Sequence, residues 1–593
     1  MNLRKGFLIL SFLLKIRFSV TIKNTMNKFL WKIKEPIADE INNKFPELKP
    51  AVLQLLADRN LTTQEQIDEF LHPDYSQDIH NPFLFSQMEE AVSRIYSAKK
   101  NQEKVVIYGD YDADGVCGSA ILAKVFKEIG LDFEVYLPDR ELEGYGLNME
   151  AIEQLAGQNV KLIITVDCGI SNFDEVQSAN EKKVDVIITD HHHAPVKIPK
   201  ALAIIHPGWD KQYPFKDLSG GGVAFKLGQA LLRSKDLRLR IGENDSFEKW
   251  LLDLVAISTV ADMVPLIGEN RTLVKHGLIV LLKTKNLGLQ KMIEISGINK
   301  GKINAHTIGW QIAPRINAAG RMDHANSAYQ LLTTENIEQA ITIAHSLNKS
   351  NVERQSLTER LLEESKKQIG EVADGLPVIF TQGKDWPPGV IGLVSSKLTN
   401  IYARPSIVLT KKEDCLVASG RSIEEFNLIE ALDEFKDYFE KYGGHAGAAG
   451  FSIKTERLED FKSKFISFAK EKLAGVKFLP KLIIDSEIKL KDVDWDLTEV
   501  LNQFEPFGQG NYQPRFLIKN LTVVLCDNVG QDNKHLRMIM AEGNLQRKVI
   551  CFGFGDYCQK LSAQDKVDIV CEVGVNEWNG NREIQLSLVD IKK

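Results

Sequence analysis

The chain has 593 residues, of which 44% are hydrophobic and 26% are charged, and its formal net charge is −6. This apolar content suffices for several cores and excludes a mainly disordered chain. The 41 Gly and 19 Pro follow no period, which excludes a collagen-like protein. A chain of this length is expected to hold about three to five domains. Because the net charge is negative, a nucleic-acid site would have to be a local basic groove.

The cysteines and the N-terminal residues indicate the cellular compartment of the protein. The seven Cys are widely spaced and form no CxxC pair, which argues against a disulfide framework or a cysteine zinc site and predicts a cytoplasmic protein. Residues 6–14 form an apolar run that is too short to span a membrane and is followed by no small-x-small cleavage site. We interpret residues 1–25 as an over-extended start ahead of Met26, with a disordered tail or a signal peptide as alternatives.

Four short apolar runs, rich in β-branched residues, indicate strands in the first half of the chain. Helical stretches separate the first three runs, and a short loop precedes the fourth. Continuous apolar strands that alternate with helices are typical of a parallel sheet covered on both faces. The pattern predicts an α/β domain at 101–330, preceded by a helical segment at 26–100. The four predicted strands are 104–108, 161–166, 184–189 and 201–205.

The sequence pattern changes twice in the second half of the chain. Residues 335–368 are polar, have helical spacing and contain no Gly or Pro, which predicts one long linking helix. A second α/β pattern follows, with strands near 377–380 and 406–409. After it come five or six short strands separated by turns such as Glu542-Gly543-Asn544, which predict a small β-barrel. The predicted bounds are 331–370 for the linking helix, 371–475 for the second α/β domain and 476–593 for the barrel.

Three aspartates alternate immediately after the first predicted strand. They are Asp110, Asp112 and Asp114, in the segment YGDYDADG. In an open parallel sheet the ligand crevice lies at the carboxyl ends of the strands. Three carboxylates there repel one another unless a cation neutralises them. The Glu that closes an EF-hand loop is absent, so we predict metal ligands of another kind, with a polar surface turn as the alternative.

Acidic and histidine residues follow two further predicted strands. Asp167 comes directly after LIITV, and the run Asp190, His191, His192 and His193 comes directly after VIIT. Imidazole and carboxylate ligands together suit Mn²⁺, Fe²⁺ or Zn²⁺ better than Ca²⁺. A lone Asp at a strand end is also a common helix cap, and a solvated loop is the alternative interpretation of the histidines.

Asp262 lies near the end of an apolar helical segment, WLLDLVAISTVADMV. A buried carboxylate almost always has a partner, which a metal or an Arg would supply. His206 also follows a predicted strand and is consistent with either a structural or a catalytic role. These acidic and histidine clusters all fall at equivalent edges of one sheet domain. That arrangement predicts a two-metal site, in which ions hold a water and polarise a phosphorus centre.

The segments DYDADG, VDCG, DHH and TVADMVPL resemble the four motifs of the DHH phosphoesterase superfamily. Three further segments, GWQIAPRINAAGRMD, GGHAGAAGF and FEPFGQGNYQP, resemble its branch of bacterial single-strand-specific exonucleases, and the resemblance covers nearly everything after Met26. It implies an α/β protein with a parallel-sheet DHH phosphoesterase domain and a long linking helix. A second α/β DHH-associated domain and a C-terminal OB-fold β-barrel would follow.

The resemblance implies a metal-dependent exodeoxyribonuclease of DNA repair and recombination. It would use two Mn²⁺ or Mg²⁺ ions and hydrolyse single-stranded DNA 5′→3′ to 5′-mononucleotides. His192 would contact the scissile phosphate, and Asp190 would orient a neighbouring His. His193 extends the usual His pair and is not counted as a ligand. The implied metal ligands are Asp110, Asp112, Asp114, Asp167, His191 and Asp262.

Later polar segments contain candidates for substrate binding. Arg315, Asn317 and Arg321 recur within seven residues, and Arg forks match phosphate oxygens. The alternative is a salt-bridge cluster that holds the linking helix. In the second α/β domain a hydroxyl, a guanidinium and glycine-rich backbone N–H groups can face an anion, although caps and turns explain the serine equally well. These candidates are Ser419, Arg421, Gly444 and His445.

The predicted barrel has a local reversal of charge. Residues 481–593 hold 14 basic and 17 acidic residues, whereas residues 515–548 hold six basic and three acidic. An OB-fold binds single strands through local charge and aromatic stacking. The candidates for nucleic-acid binding are Lys534, Arg537 and Trp578; Phe552 and Phe554 are further stacking candidates that core packing would explain as well.

The sequence therefore predicts a monomer that acts on single-stranded DNA away from any membrane, with a single-strand-binding protein and a RecQ-type helicase as partners implied by the resemblance. One alternative is a phosphodiesterase for short oligonucleotides or cyclic dinucleotides, against which the barrel argues because a dinucleotide needs no OB-fold. Another is a catalytically inactive DNA-binding scaffold, against which the complete set of acidic and His residues argues.

Overall fold

The computed structural model describes residues 29–140, 142–234, 246–322, 324–370, 376–530, 533–578 and 580–593. The over-extended start predicted at 1–25 lies outside them. The chain forms two compact units. One unit comprises Asp68–Leu357 and Glu505–Tyr512. The other comprises the residues up to Ile67, Thr358–Phe504 and Gln513–Lys593.

Eighteen strands occur in the described residues, in four sheets. They are β1 (Leu30–Ile33), β2 (Lys104–Gly109), β3 (Phe133–Tyr136), β4 (Val160–Val166), β5 (Asp185–Thr189), β6 (Ala203–Ile205), β7 (Ile379–Gly383), β8 (Ser406–Lys412), β9 (Cys415–Arg421), β10 (Phe439–His445), β11 (Ala448–Lys454), β12 (Lys481–Ile484), β13 (Ser486–Glu487), β14 (Phe516–Val529), β15 (His535–Glu542), β16 (Leu545–Cys551), β17 (Lys566–Trp578) and β18 (Asn581–Lys592).

The α-helices in the same residues are α1 (Asp39–Lys44), α2 (Pro50–Ala57), α3 (Gln64–Leu71), α4 (Met88–Asn101), α5 (Ala113–Ile129), α6 (Met149–Gly157), α7 (Phe173–Glu181), α8 (Gly220–Leu232), α9 (Ser246–Trp250), α10 (Leu252–Ala261), α11 (Gly268–Leu282), α12 (Leu287–Ile295), α13 (Ala305–Thr307), α14 (Ala313–Met322), α15 (Asn326–Thr333), α16 (Ile337–Ile369), α17 (Pro388–Tyr402), α18 (Leu428–Asp433), α19 (Leu458–Lys472) and α20 (Trp495–Gln503). A π-helical segment, Ile308–Ile312, joins α13 to α14.

The first unit is built on a parallel five-stranded sheet in the order β3-β2-β4-β5-β6. Strands β2, β4 and β5 are buried along nearly their whole length, as their continuous apolar runs require. All four predicted strands are confirmed. The fifth, β3, was missed because its sequence, FEVY, is short and only partly buried.

Helices α5 and α8 of this unit pack against each other. Helix α5 is buried along most of its length, begins at the N-cap Asp112 and ends at Gly130, whose φ of 69° suits a left-handed C-cap. Helix α8 begins with three glycines, Gly220 to Gly222, and packs against α5. The glycines let the two helices and the strand ends approach closely, which decides the geometry described below.

The segment Glu505–Tyr512 belongs to this unit although it precedes the barrel strands in the chain. The Leu266 N–H donates to the carbonyl of Gln509 at 2.8 Å, and the Arg271 guanidinium donates to the carbonyl of Glu505 at 3.0 Å. Arg271 is only 1% exposed. The motif FEPFGQGNYQP therefore packs against the turn that follows TVADMV.

The second unit contains a mixed five-stranded sheet in the order β10-β11-β9-β8-β7. Only β7 and β8 are parallel; the other pairs are antiparallel. Helix α19 covers the sheet with a cluster of aromatic side chains that includes Phe451, Phe461 and Phe465. This confirms the predicted second α/β domain, in which the two predicted strands are β7 and β8; the sequence analysis did not predict the antiparallel strands β9, β10 and β11.

The last five strands close into a barrel. The order β14-β15-β16-β18-β17 returns to β14 through a further pairing of β14 with β17, and β16 pairs with β18 in parallel. Inward residues such as Leu536, Met538 and Met540 alternate with partly exposed neighbours along β15. The closed five-stranded ring confirms the predicted OB-fold β-barrel.

The prediction of a helical segment at 26–100 is wrong for Leu30–Ile33. These residues form β1, which pairs in parallel with β12, Lys481–Ile484. Trp31 donates to Asp590 Oδ2 at 2.7 Å, so this segment is part of the packing around the barrel. The partner strand lies some 450 residues away in the chain, and no local pattern indicates such a pairing.

The predicted linking helix is α16, which has 33 residues and contributes to both units. Its sequence is polar, with a helical spacing of buried positions at Ala340, Ala344 and Leu347. In the described part of the chain, no helix has the length and apolar character needed to cross a lipid bilayer.

Candidate metal centre

The acidic and histidine residues follow the carboxyl ends of adjacent parallel strands. Asp110 follows β2, Asp167 follows β4, and Asp190 begins the turn after β5. The chain passes from β2 to β3 on one side of it, and the next strand, β4, lies on the other side of β2. The strand order therefore reverses between β2 and β4, and Asp110 and Asp167 flank this switch point of the sheet. Ligand sites of open α/β sheets form at this point.

The DYDADG turn uses its aspartates in different ways. Asp112 caps α5 through Oδ1, which accepts hydrogen bonds from the N–H groups of Asp114 at 2.8 Å and Gly115 at 3.2 Å. Asp114 is 1% exposed, and its two carboxylate oxygens accept from the N–H groups of Gly220 at 2.7 Å and Gly221 at 2.8 Å. The start of α8 therefore fixes the Asp114 carboxylate.

Three buried polar atoms at the centre of the site make no hydrogen bond. They are Asp110 Oδ1, Asp167 Oδ1 and His191 Nε2. His191 Nε2 lies 3.1 Å from Asp167 Oδ1, 3.5 Å from Asp262 Oδ2 and 3.8 Å from Asp114 Oδ2. Buried polar atoms are nearly always bonded, so these orphaned atoms fit ligands of a divalent cation.

Within the described residues, the potential ligands form three overlapping groups. Asp110, Asp112 and Asp167 form one group, and Asp114, His191 and Asp262 form another, with the ligand atoms of each group within 4.8 Å of one another. Asp167 also groups with His191 and His192. The residue types and the overlapping groups fit the prediction of a two-metal site.

The backbone at Asp167 is in the left-handed region, with φ of 63°. A non-glycine residue rarely adopts this conformation, which costs about 1–3 kcal/mol. Here the turn places the carboxylate beside His191, and Tyr145 donates from its hydroxyl to the Asp167 carbonyl at 3.0 Å. Strain at this position indicates a residue held in place by its surroundings.

The carboxylates raise one another's pKa values in the absence of a cation. Burial, and then the charge of Asp112, raise the pKa of Asp110 well above its usual range. Burial and neighbouring aspartates raise the pKa of Asp112 and, to about 9, that of Asp262. Burial lowers the pKa of His191. A divalent cation would lower the raised pKa values of the carboxylates and keep His191 neutral, because ligands bind it in their deprotonated forms.

Asp190 and His192 form a separate hydrogen-bonded pair beside these groups. Asp190 Oδ1 lies 2.9 Å from His192 Nδ1 and accepts from the backbone N–H groups of His191 and His192. Burial raises the pKa of Asp190, but the bond to His192, the charge of His192 and the bond from the Ile170 N–H together lower the pKa to about 2. Burial lowers the pKa of His192, and Asp190 raises it to about 9. Asp190 thus orients His192.

His193 and His206 do not belong to the groups of potential metal ligands in the described residues. His206 is 1% exposed; its Nδ1 accepts from the Trp209 N–H at 3.1 Å, so Nε2 carries the proton and donates to the carbonyl of His192 at 2.7 Å. This is a structural role in positioning the backbone of His192. The side chain of His193 is exposed.

The three polar residues of α14 have different surroundings. Asn317 Oδ1 accepts from the Ala113 N–H at 2.7 Å and so supports the DYDADG turn. Arg315 is 5% exposed and donates to Asn348 of the linking helix at 3.1 Å. Arg321 is partly exposed and lies near Tyr111. Phosphate binding by these residues stays a prediction.

The candidates in the second unit lie on two strands of its mixed sheet. Ser419 and Arg421 are in β9, and the Arg421 guanidinium donates to Ser419 Oγ at 3.2 Å. Gly444 and His445 are exposed in the edge strand β10 rather than in a loop. A Cβ at Gly444 would lie 2.4 Å from the Ala448 carbonyl oxygen, so only glycine fits there.

The barrel candidates lie on or beside its hairpins. Arg537 on β15 forms an ion pair with Asp527 at 2.8 Å, and Lys534 directly precedes β15. Phe552 is 41% exposed, with its ring 5.3 Å from that of His535. The side chain of Trp578 lies outside the described part of the structure.

Several residues of the site escape prediction from the sequence. Tyr145 places its hydroxyl 2.9 Å from His192 Nδ1, and Ser258 donates to the Asp114 carboxylate. Arg140 lies with its guanidinium 5.1 Å from the Tyr111 ring centre. Of these, only Tyr145 carries a local signal, since the glycines on both sides of it mark a tight turn.

We predict that the stability of the metal-free protein falls as pH rises. The folded Asp262 keeps its proton up to about pH 9, whereas in the unfolded chain it loses the proton near the usual Asp pKa of about 3.9. The folded state therefore binds more protons between these values and is destabilised progressively across them. The melting temperature in EDTA should fall with pH, and Mn²⁺ should raise it most at high pH.

The matched variant for this measurement is Asp262→Asn, which removes the titrating group without changing its size. Its melting temperature in EDTA should depend less on pH than that of the wild type. If the melting temperatures of the two proteins depend equally on pH, Asp262 does not keep its proton in the folded, metal-free protein, and the prediction is wrong.

Three family models match successive parts of the chain. The DHH family N-terminal domain matches residues 104–259, the DHHA1 domain matches residues 375–471, and the RecJ OB domain matches residues 484–590. The first covers the parallel sheet with its acidic cluster, the second the mixed sheet, and the third the barrel.

Curated relatives and solved structures are similar over most of the chain. The single-stranded-DNA-specific exonuclease RecJ of Bacillus subtilis is 36% identical over 95% of this chain and 71% of its own length. That of Haemophilus influenzae is 30% identical over 95% of this chain and 99% of its own. The crystal structure of RecJ in complex with Mn²⁺ from Thermus thermophilus has a TM-score of 0.80 at 27% identity and covers 95% of this chain and 80% of that one. A second structure from that organism is a Mg²⁺ complex, with a TM-score of 0.74 at 25% identity and coverage of 95% and 79%.

Proposed function

The chain belongs to the RecJ family of single-stranded-DNA-specific exonucleases, and from this premise we propose that it hydrolyses single-stranded DNA 5′→3′ to 5′-mononucleotides. The observation that carries the chemistry is the set of orphaned atoms Asp110 Oδ1, Asp167 Oδ1 and His191 Nε2 at the switch point of the sheet. Polarity and the size of the product are expectations from the family resemblance alone.

The acidic cluster is the proposed site for two Mn²⁺ or Mg²⁺ ions. When bound, such ions would supply Lewis-acid polarisation of a phosphodiester. The chain contributes a preformed geometry, since the start of α8 fixes Asp114 and the N-cap bonds of α5 fix Asp112. The proposed ligands are Asp110, Asp112, Asp114, Asp167, His191 and Asp262.

His192 is the proposed contact to the scissile phosphate. Its Nδ1 faces Asp190 at 2.9 Å and Tyr145 at 2.9 Å, which leaves Nε2 as the ring atom for the substrate. The hydrogen bond that His192 Nδ1 donates to Asp190 favours the imidazolium, and a protonated Nε2 donates a hydrogen bond to an anionic phosphate oxygen. Asp190 acts through His192 and is a positioning residue.

One assay tests this proposal against its rivals. The protein is incubated with Mn²⁺ and with single-stranded DNA, duplex DNA or a dinucleotide, each labelled at its 5′ end. We expect rapid release of labelled mononucleotide from the single strand alone. Cleavage restricted to the dinucleotide would favour a phosphodiesterase of the same superfamily, and binding without cleavage would favour an inactive scaffold.

The closed barrel favours the exonuclease over the dinucleotide phosphodiesterase, because a dinucleotide needs no second binding domain. We propose that the candidate residues Ser419, Arg421, Gly444 and His445 bind the nucleotide and that the barrel binds the strand at a distance from the cut. A single-strand-binding protein and a RecQ-type helicase are partners proposed from the family resemblance.

We predict that the barrel raises the affinity of the protein for long single strands and has little effect on the cleavage of very short oligonucleotides. The variant Lys534→Gln/Arg537→Gln/Phe552→Ala removes two positive charges and a partly exposed ring. Loss of one stacked base costs about 1–3 kcal/mol, and each lost phosphate contact flattens the salt slope by about 0.7. Affinity for a long strand should fall by more than about tenfold. Cleavage of very short oligonucleotides should stay nearly constant.

Point variants are preferable to removal of 476–593, because that deletion would take away β12, the partner strand of β1. The control is Lys519→Gln, which removes a positive charge from β14, where Lys519 pairs with Glu487 at 2.7 Å. If the triple variant keeps the wild-type salt slope, the barrel does not bind the strand through these residues.

A further inference from the structure

An aromatic pair lies at the surface of the segment that leads into α14. The rings of His306 and Trp310 stack with their centres 5.8 Å apart and their planes 24° from parallel. Trp310 is 60% exposed, whereas Ile308 and Ile312 on either side of it are fully buried. The isoleucines thus anchor the segment in the core, and the indole ring is presented to solvent.

The exposed ring lies in a π-helical turn. Ile308–Ile312 is the only π-helical segment in the residues that the structure describes. Such turns are rare, and they occur frequently at functional sites. The ring that this turn exposes is therefore a candidate for contact with a ligand.

The part of the chain that carries the pair is basic. Between Glu294 and Asp323 the sequence contains four Lys or Arg residues and no acidic residue, in a chain whose net charge is −6. Lys300 and Lys302, which precede the pair, are both exposed. An acidic protein needs such a local basic surface to bind a polyanion. Positive charge beside an exposed aromatic ring is the combination that binds single-stranded nucleic acid.

Contacts at both ends of the segment place it beside the metal centre. A Cβ at Gly309 would lie 3.7 Å from Val260 of α10, the helix that ends just before Asp262. Asn317 accepts from a backbone N–H of the DYDADG turn at 2.7 Å. Trp310 and Asn317 are seven residues apart, which is about 10 Å along a helix. At about 3.4 Å per nucleotide, a stacked strand covers this distance with about three nucleotides.

We propose that the His306–Trp310 pair is a stacking platform for one nucleobase of the single strand, a few nucleotides from the scissile phosphate. The proposal rests on the proposed function. Trp310 supplies the ring on which the base stacks, His306 orients that ring, and Lys300 and Lys302 attract the backbone. Every base has a π-face, so this contact tolerates any base sequence.

The test compares Trp310→Leu and Trp310→Phe with the wild type. Leucine keeps an apolar side chain without a ring, whereas phenylalanine keeps a ring. Affinity for a labelled single strand, measured in Ca²⁺, should fall by at least about fivefold in the leucine variant and by less than about twofold in the phenylalanine variant. Because Trp310 is uncharged, the salt slope should be unchanged. The control is Ile279→Ala, which removes a 50% exposed apolar side chain from α11 and should have no effect.

Strands with one abasic nucleotide show whether the lost affinity comes from stacking. The abasic nucleotide is placed at successive positions from the 5′ end, and the affinity of each strand is measured with the wild type and with Trp310→Leu. At one position the wild type should lose its advantage, because neither protein has a base to stack there. At the other positions the leucine variant should bind at least about fivefold more weakly than the wild type.

The outcomes separate this platform from the proposed function. If the wild type does not degrade single-stranded DNA with Mn²⁺, the proposed function is wrong. If the wild type is active and Trp310→Leu binds the intact strand as tightly, the platform is wrong and the pair only stabilises its helical turn. A loss of affinity that is equal for every abasic strand would also overturn the platform, since it would not depend on any base.

Discussion

The Asp112→Asn variant is expected to lose about 10²–10³-fold of its Mn²⁺-dependent hydrolysis of single-stranded DNA while staying folded. Asparagine caps a helix as well as aspartate does, so Oδ1 can still accept from the N–H groups of Asp114 and Gly115. The variant removes one negative charge from a group of three carboxylates. Its melting temperature in EDTA should therefore equal or exceed that of the wild type.

The Asp112→Ala variant is the matched comparison, because alanine removes the charge and the cap together. Its activity loss should be the same, but its stability should fall by about 1 kcal/mol relative to the asparagine variant. Activity above a few per cent of wild type in the asparagine variant would exclude Asp112 as a ligand that the reaction needs.

The acidic cluster was predictable because its geometry follows from topology. Once β2, β4 and β5 are recognised as parallel, the residues after them must share one edge of the sheet, and Asp110, Asp167 and His191 do so. The sequence does not reveal how the carboxylates are held. The N–H groups that bind Asp114 come from Gly220 and Gly221, over a hundred residues further along the chain.

The parts of the fold that could be predicted are those whose sequence patterns lie within short stretches of the chain. The long helix α16 and the barrel strands follow from uninterrupted patterns within short windows. Strand β1 was mistaken for helix because LWKI has no alternation of its own and is a strand only through pairing with β12. The surroundings of Arg315 were likewise hidden, since Asn348 reaches it from a separate helix.

The Gly220→Ala variant is expected to lose about 10²-fold in activity, and crowding against Asp167 should cost about 1–3 kcal/mol of stability. A Cβ at Gly220 would lie 2.5 Å from Asp167 Oδ1 and 2.6 Å from its Cγ. No real Cβ approaches that closely, so the Asp167 carboxylate must move, and Asp167 belongs to two of the three groups of potential metal ligands in the described residues. Mn²⁺ affinity, measured by titration against melting temperature, should fall by at least about tenfold.

The control is Gly222→Ala, two residues further along the same helix, where the nearest atom to a Cβ would be Ser219 Oγ at 3.3 Å. Alanine in place of glycine in a helix favours folding by roughly 0.5–1 kcal/mol, so both variants gain in intrinsic helix propensity. Loss of Mn²⁺ affinity and activity in Gly220→Ala alone would therefore come from the displaced carboxylate. If both variants keep wild-type Mn²⁺ affinity, the position of Asp167 does not decide metal binding, and the assignment of Asp167 as a metal ligand has to be abandoned.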